Sequence, residues 1–541
     1  MPRVIVLDNI AQEGLDLLEA AEGIEYEVRT GLKGEALRKA LAEFDGAVCR
    51  SGVKITADAL AGNRRLKAIV RAGVGTDNID KPAATRLGIV VMNTPGGNTL
   101  STAEHTFALM LALSRNIAPA YQSLIEGRWD RKAYMGTQLA DKTLGIIGLG
   151  RIGREVAKRA RAFEMRVIAY DPFLTEETAE KLGVERVEQV HDMLPHIDYL
   201  TVHTPLTPET KGLIGAAEIA MMKPGVRLIN AARGGIYDEQ ALVDGLASGR
   251  VGGVALDVYA EEPCTSSPLF GMPNVVCTPH LGASTEEAQT LVAVEAVGLL
   301  IKFLTTGEIR HAVNVASVDP KTIAALRGHL VMAHRLGQLL GQWHEGSLTS
   351  CSLSYQGEVA EKDTRLLTSA FCAGLMEQFL DEEVNIINAE VLLRDHGIRL
   401  REETQTTAGV FSSAISATLA CDGESYTAEG TLFGNNLPRL IRLGDYQLEA
   451  YLDGNLLIFA YDDVPGVIGA VGTIFGAHGV NIAQMSVGRK TDKPGGMAVG
   501  VLNLDSRPPD EAIAQVAQHD RVHSVRMIEL PAEGEVPHWL Q

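Results

Sequence analysis

Leu144-Gly145-Ile146-Ile147-Gly148-Leu149-Gly150-Arg151-Ile152-Gly153 is a short apolar run that passes without a gap into a G-x-G-x-x-G loop. Residues 154–163 are good helix formers (Glu155, Ala157, Lys158, Arg159, Ala160), so the loop lies between a strand and a helix. A second apolar strand, Met165-Arg166-Val167-Ile168-Ala169-Tyr170, ends in Asp171. Each glycine has a task. Gly148 permits the tight turn, Gly150 lets the backbone approach a pyrophosphate, and Gly153 lets the helix pack hard on the sheet, with the helix N-terminus facing the anion. Asp171 lies 18 residues beyond Gly153, where a carboxylate accepts hydrogen bonds from ribose hydroxyls and disfavours an extra phosphate. Glycines alone cluster in ordinary turns; with both strands, the helix and the acid in place, the stretch predicts a Rossmann unit that binds NAD.

Length implies more than this one unit, since 541 residues at ~100–200 per domain suggest three or four domains. Apolar content of 46% and charged content of 22% are those of a soluble protein. With 68 acidic against 49 basic residues the net charge is −19, which argues against nucleic acid or a membrane surface as partner. An anionic substrate therefore needs a locally basic pocket. The N-terminus enters a strand directly, without a signal core or transit segment. The most apolar helix-like run, residues 291–304, contains Glu295 and Lys302 and reads as too short to span a bilayer. Six cysteines (49, 264, 277, 351, 372, 421) show no metal-ligand spacing, so they read as reduced thiols in a cytoplasmic compartment, with no metal site.

Residues 3–93 alternate apolar runs (4–7, 46–49, 68–70, 89–92) with helix-like stretches, the rhythm of a small parallel α/β domain. Arg50-Ser51-Gly52 and Arg71-Ala72-Gly73-Val74-Gly75 follow two of these strands, at the end where α/β sheets bind ligands, although a lone arginine there is usually a solvated one. A capped helix over 101–114 carries His105 among Phe107, Leu109, Met110, Leu111 and Leu113, which reads as a satisfied junction histidine, not a catalyst. Past Arg131-Lys132 and the glycine motif, strands at 199–204, 227–230, 253–256 and 274–277 end in Thr204-Pro205, Ala231-Ala232-Arg233-Gly234-Gly235, Asp257-Val258 and Thr278-Pro279-His280, and a helix over 285–305 closes this part. Residues 314–450 mix three amphipathic stretches (321–344, 364–380, 383–396) with strand-like segments (397–402, 427–432) and contain no metal, nucleotide or nucleophile motif. From 455 the order is strand 456–460, helix 467–478, strands 480–487 and 497–505, helix 510–519, strand 522–529, a ferredoxin-like βαββαβ unit.

Arg233, Glu262 and His280 each follow a strand and so can converge. A guanidinium suits a bidentate clamp on a carboxylate. A histidine suits moving a hydroxyl proton as hydride leaves, and a carboxylate beside it would fix its tautomer and raise its pKa. From the residues alone, Glu261-Glu262-Pro263 is equally a charged turn and His280 a strand end.

Taken together, Gly148–Gly153 with Asp171, Asn230 to Gly235, Ala255 to Tyr259 through Glu262-Pro263, and Thr278-Pro279-His280-Leu281-Gly282 resemble the signatures of the D-isomer-specific 2-hydroxyacid dehydrogenases. Arg50-Ser51, Asp77-Asn78-Ile79-Asp80 and the two C-terminal segments are similar to those of the long members that oxidise 3-phosphoglycerate. The resemblance implies Arg233, Glu262 and His280 as catalytic groups. It places Gly148, Gly150, Arg151, Ile152, Gly153, Asp171, Thr204, Ala231, Ala232, Arg233, Asp257, His280, Leu281, Gly282 and Ala283 along the NAD, and Arg50, Ser51, Gly52 and Arg71 at the substrate. Apart from the resemblance, the need of an acidic chain for local cations makes Arg131, in Arg131-Lys132, an expected phosphate contact across a subunit boundary, with a solvated pair as the alternative. Val74 stands where family members often have a hydroxyl residue.

The resemblance also implies a split flavodoxin-like substrate domain (1–97 and 285–313) with the Rossmann domain (98–284) inserted, an α+β intervening domain (314–452) and an ACT domain (453–541), in a homodimer or homotetramer. In the last unit, Tyr461, Asp463 and Asn481 are the expected effector contacts, with L-serine as ligand: Asp463 for an ammonium, Asn481 for a carboxylate or hydroxyl; the alternative is a unit that only dimerises. Tyr461 and Asp463 stand where regulated relatives have His and Asn. Gly469, Gly472 and Gly476 leave one helix face bare for a second copy. Two other functions remain open: a glyoxylate/hydroxypyruvate reductase, which would lack the C-terminal domains, and an NAD-binding co-repressor, which would end in a disordered tail.

Overall fold

Four-residue apolar strands buried on both faces need helices on each side of their sheet. The computed structural model, which describes residues 1–315, 320–380, 383–407, 409–434, 436–490 and 495–540, has such a sheet at its start. β1 (Arg3–Val6), β2 (Glu25–Val28), β3 (Gly46–Cys49), β4 (Ala68–Arg71) and β5 (Val90–Asn93) are parallel in the order β2-β1-β3-β4-β5, the flavodoxin-like arrangement. β2, Glu-Tyr-Glu-Val, was not anticipated, because an edge strand with alternate acidic residues has no apolar run to announce it.

The second sheet holds β6 (Thr143–Ile147), β7 (Arg166–Tyr170), β8 (Glu185–Arg186), β9 (Tyr199–Val202), β10 (Val226–Asn230), β11 (Val251–Leu256) and β12 (Val275–Cys277). Their order, β12-β11-β10-β9-β6-β7-β8, reverses direction between β6 and β9, and ligands bind at such a switch point beyond the strands' carboxyl ends. β8, only two residues long, was also missed.

The chain returns to the first sheet through the helix Glu286–Thr306, whose Val292, Ala293, Ala296, Val297 and Leu300 are buried. The expectation that this region is too short to span a bilayer is corrected on length, since the helix has 21 residues and is apolar enough to cross one. Its packing gives another account: it lies on the helix Gln12–Ala20 and on β3, β4 and β5, as a core helix does.

A third sheet runs through the rest of the chain: β13 (Leu348–Gly357), β14 (Arg399–Gln405), β15 (Ser413–Cys421), β16 (Glu424–Phe433), β17 (Leu437–Leu443), β18 (Tyr446–Tyr451), β19 (Asn455–Asp462), β20 (Ile482–Arg489), β21 (Met497–Leu504) and β22 (Val522–Glu529). Its order is β14-β13-β15-β16-β17-β18-β20-β21-β19-β22, so the two C-terminal units share ten strands, joined where Gln447 pairs with Arg489. The last four strands have the ferredoxin-like order. The helix expected over 383–396 is confined to Ala389–Asp395 among the described residues, because Asn385 Oδ1 accepts from the backbone N–H groups of Ile387 and Asn388 and holds a turn there.

Arg335, in the helix Pro320–Trp343, ties these parts together. Its buried guanidinium donates to the carbonyls of Leu452 (2.9 Å), Ala532 (2.8 Å) and Glu535 (3.0 Å), so one side chain grips the chain on both sides of the last domain. Arg335→Met would leave those carbonyls without their donor and is expected to cost ~3 kcal/mol or more. Denaturant unfolding, with proteolysis to report release of residues 531–540, measures it; wild-type stability in the variant would contradict the role.

Candidate active site

The glycine loop follows β6 as its spacing requires. Gly148 has φ +92°, and a Cβ there would press on the His203 carbonyl at 2.7 Å. A Cβ on Gly153 would collide with the Gly148 carbonyl oxygen, whereas one on Gly150 would meet nothing within 4 Å. So Gly153 packs the helix Arg151–Ala162 onto the loop, and Gly150 faces open space. That helix has no side-chain cap at its start, which leaves its first N–H groups for an anion. Asp171 accepts from Leu149 N and Phe173 N, both at 2.8 Å, and its carboxylate is thereby fixed beside the loop with lone pairs to spare for a ribose.

After β9, burial pushes His203 down to about 4, so it is neutral at physiological pH. The Thr204 hydroxyl oxygen beside it is buried without a partner. Ala231 is buried and Ala232 N donates to Asn230 Oδ1, so the backbone past β10 is held at the same sheet end. An unclaimed helix N-terminus, an open face at Gly150, a fixed carboxylate and an orphan hydroxyl fit a dinucleotide. Ile152 packs into the core of this lobe. Arg151 reaches towards Gly96 of the other lobe, 3.2 Å from where a Cβ would stand.

The turn that carries His280 is built on Asp257. This carboxylate, fully buried, accepts from Thr278 Oγ1 (2.6 Å), Leu281 N (2.7 Å) and Gly282 N (2.8 Å), while His105 Nε2 lies 3.1 Å away. Burial pushes its pKa up, but His105, Thr278 and the Leu281 amide outweigh that and hold it below the usual carboxylate range. Asp257, expected along the cofactor, thus spends its oxygens on the protein, and His105 is the satisfied junction residue its setting suggested. Held this way, His280 adopts φ +56° with its N–H on the Asp257 carbonyl. Its Nδ1 lies 2.6 Å from Glu262 Oε2. Burial raises the Glu262 carboxyl, but the His280 imidazole and the Tyr259 amide hold it below its ordinary value. Ala283 is fixed through its carbonyl by Gln289 (2.6 Å).

Arg233 reaches across to the other lobe. Its carbonyl accepts from Asn230 Nδ2 (2.8 Å), its Nη1 donates to Ala232 O (2.7 Å), and its Nε donates to Asp77 Oδ2 (3.0 Å). Arg71, at the end of β4, is lowered chiefly by burial, and the positive charges of Arg233 and Arg50 push the same way. Its Nε is buried without a partner. Arg50 N donates to Asp8 Oδ2 (2.6 Å), and a Cβ at Gly52 would strike the same carboxylate, so Asp8 shapes the Arg50-Ser51-Gly52 loop. Three guanidiniums gathered from both lobes are the local basic pocket that a chain of net charge −19 needs for an anion. Val74 offers only its carbonyl, taken by Asn93 Nδ2 (2.6 Å). Asp8 is not marked by the sequence, and Asn230 and Thr278 stand there only as members of motifs; the fold alone aims each of them at its partner.

Not every expected residue joins this cluster. Arg131 is exposed, on the segment between the helix Ile117–Ile125 and β6. The effector trio does not converge. Tyr461 is buried and stacked on Phe459 with ring centroids 5.2 Å apart, because alternation along β19 sends residues 457, 459 and 461 to the same inner face. Asp463 pairs with Arg489 (2.8 Å), and Asn481 Nδ2 donates to Asp505 Oδ2 (2.6 Å). Both β19 and β20 run antiparallel to β21, so Asp463 lies at its Met497 end and Asn481 at its Leu504 end, roughly 25 Å apart by strand rise. One small ligand in a single copy does not reach both.

Residues 107–282 match the D-isomer specific 2-hydroxyacid dehydrogenase, NAD binding domain; residues 325–444 match the D-3-phosphoglycerate dehydrogenase intervening domain; residues 455–521 match the ACT domain. D-3-phosphoglycerate dehydrogenase of Archaeoglobus fulgidus is 40% identical over 98% of this chain and 100% of its own length. The Bacillus subtilis enzyme of that name is 39% identical over the same shares. Among solved structures, the TT0316 protein from Thermus thermophilus is 35% identical with a TM-score of 0.53, covering 57% of this chain and 99% of its own. A glyoxylate reductase from Paecilomyes thermophila is 30% identical with a TM-score of 0.53, covering 58% of this chain and 98% of its own.

The glycine geometry yields a paired expectation. Gly150→Ala meets no atom in the empty protein and has an ordinary φ of −70°, so folding should be unaffected while NADH binding weakens at least about tenfold. Gly153→Ala drives a methyl into backbone and should cost ~1–3 kcal/mol of stability as well as cofactor affinity. Thermal melts with NADH fluorescence titration separate the two; identical behaviour of the variants would contradict the assignment.

Proposed function

This chain belongs to the D-isomer specific 2-hydroxyacid dehydrogenases, in the long form of D-3-phosphoglycerate dehydrogenase, and we propose that His280 is its proton-transfer group. The reaction is the NAD-dependent oxidation of 3-phosphoglycerate to 3-phosphohydroxypyruvate, the entry to L-serine biosynthesis. The observation that supports this division of labour is the 2.6 Å contact between His280 Nδ1 and Glu262, at the sheet end where Arg233, Arg71 and Arg50 gather.

Bound NAD supplies the hydride acceptor. Arg233 clamps the substrate carboxylate beside the reacting carbon, and Arg71 with the loop Arg50-Ser51-Gly52 holds the other anionic end. Glu262 keeps the Nδ1 side of His280 occupied, so Nε2 takes the hydroxyl proton, and the carboxylate stabilises the imidazolium that forms. Closure of the lobes excludes water from the hydride path. A reductase acting on unphosphorylated acids is the less favoured reading, since the related glyoxylate reductase covers 58% of this chain and the C-terminal units lie beyond it.

The ACT unit is read as an effector domain, with L-serine as its ligand. Because Asp463 and Asn481 stand at opposite ends of β21, two copies are needed to bring them to one molecule, and the bare face at Gly469, Gly472 and Gly476 is where a second copy would pack. A homodimer or homotetramer is further supported by exposed Tyr121, Leu124, Ile125 and Trp129, and in it Arg131 would meet the neighbouring subunit's phosphate pocket. Six free cysteines suit a cytoplasmic setting.

Activity is tested by NADH formation with 3-phosphoglycerate against D-glycerate and D-lactate; equal rates on all three would sink the phosphoglycerate assignment. His280→Ala should lose roughly 10²–10⁴-fold in turnover with NADH binding retained, and near-normal turnover would remove it from the mechanism. Serine titration should inhibit the intact enzyme and spare Asn481→Ala; equal inhibition of both would move the effector elsewhere.

A further inference from the structure

Asp77 forms an ion pair that crosses the cleft to Arg233. Arg233 has three places at which its plane is set. Nη1 donates to Ala232 O of its own lobe (2.7 Å), Nε donates to Asp77 Oδ2 of the other lobe (3.0 Å), and Nη2 lies against Gly75, where a Cβ would collide with it. The planar guanidinium offers its donors in a fixed fork, so holding two nitrogens fixes the direction of the third.

The post that carries Asp77 is itself braced. Asn78 Nδ2 donates to the carbonyls of Arg50 (2.7 Å) and Val53 (2.8 Å), Ile55 N donates to Asn78 O (2.8 Å), Asp80 N donates to Ile55 O (2.8 Å), and Asp80 caps the helix Lys81–Arg86. Two neighbouring side chains therefore hold the two ends of the anion pocket: Asp77 the Arg233 fork, and Asn78 the loop of Arg50. The Asp77–Arg233 pair is 69% and 31% exposed, so it adds little to folding. What it can set is orientation, to which clamped reactions are sensitive.

We propose that Asp77 is a positioning residue, which aims Arg233 at the substrate carboxylate and, with Asn78, sets the spacing between the two anion-holding points when the lobes meet. The inference rests on the reading of Arg233 as the carboxylate clamp. Asp77 acts on the substrate through Arg233.

The test is steady-state kinetics of the full-length enzyme with 3-phosphoglycerate and NAD, alongside NADH titration and melting temperature. Asp77→Ala should raise the substrate KM between about tenfold and 100-fold, with a smaller change in kcat and none in NADH affinity or melting temperature. Asp77→Asn keeps an acceptor oxygen for Nε and should recover most of the loss. In an Arg233→Gln background, removing Asp77 should have little further effect. Wild-type KM in Asp77→Ala, equal losses in the Ala and Asn variants, or a full independent loss in the Arg233→Gln background would overturn the proposal. Should Arg233→Gln itself leave KM and kcat unchanged, the clamp reading falls and this inference with it; a damaged Arg233→Gln beside a silent Asp77→Ala removes this inference alone.

Discussion

The catalytic half of the molecule depends on one buried carboxylate. Asp257 lies at the end of β11 with no exposed surface, and an ionised group so placed is tolerated only when hydrogen-bonded throughout. Its partners come from three directions: His105 from the helix that leads into the nucleotide lobe, Thr278 from the end of β12, and the amides of Leu281 and Gly282 from the turn beyond. Satisfying that charge therefore forces the turn into place, and the turn in its left-handed backbone sets His280 against Glu262. A residue distant from His280 in the chain thus decides where that imidazole stands.

Charge is arranged on two scales. The chain as a whole is acidic, yet Arg50, Arg71 and Arg233 are collected at one cleft from the carboxyl ends of two sheets. Burial is the main downward push on Arg71, the nearby Arg233 and Arg50 add to it, and Asp77 works against it. The side of the glycine loop is built differently: His203 is kept neutral by burial, and the helix Arg151–Ala162 leaves its positive dipole end without a side-chain cap.

The C-terminal half is linked to itself more tightly than its two domain types suggest. The sheet is continuous across the boundary, and Arg335 holds carbonyls before and after the ferredoxin-like unit. The first lobe and this half share one continuous apolar core, which includes Val4 and Val70 on one side and Leu330 and Leu392 on the other, and polar contacts add to it: Arg86 with Asp395, and Asn385 and Asn388 with the carbonyls of Gly88 and Arg86.

The sequence by itself determined the features that are local. The strand–glycine loop–helix unit, the acid after β7, the buried strands of both parallel sheets and the βαββαβ order are legible because periodicity and turn chemistry act over a few residues. Arg233, Glu262 and His280 could be named as strand-end residues with suitable chemistry, and the resemblance gave them roles. Tertiary structure alone decided that Asp257 faces inward to brace the turn, that Asp8, Asp77 and Asn78 organise the arginines, and that Tyr461 stacks in a core while Asp463 and Asn481 lie at opposite ends of a sheet. The edge strand β2 was hidden for a related reason, since its pairing with β1 needs no apolar run of its own. A polar side chain has no periodicity of its own to reveal its direction. Its partner is chosen by the register of strands and by which lobe faces it, and those are set by contacts between residues far apart in the chain.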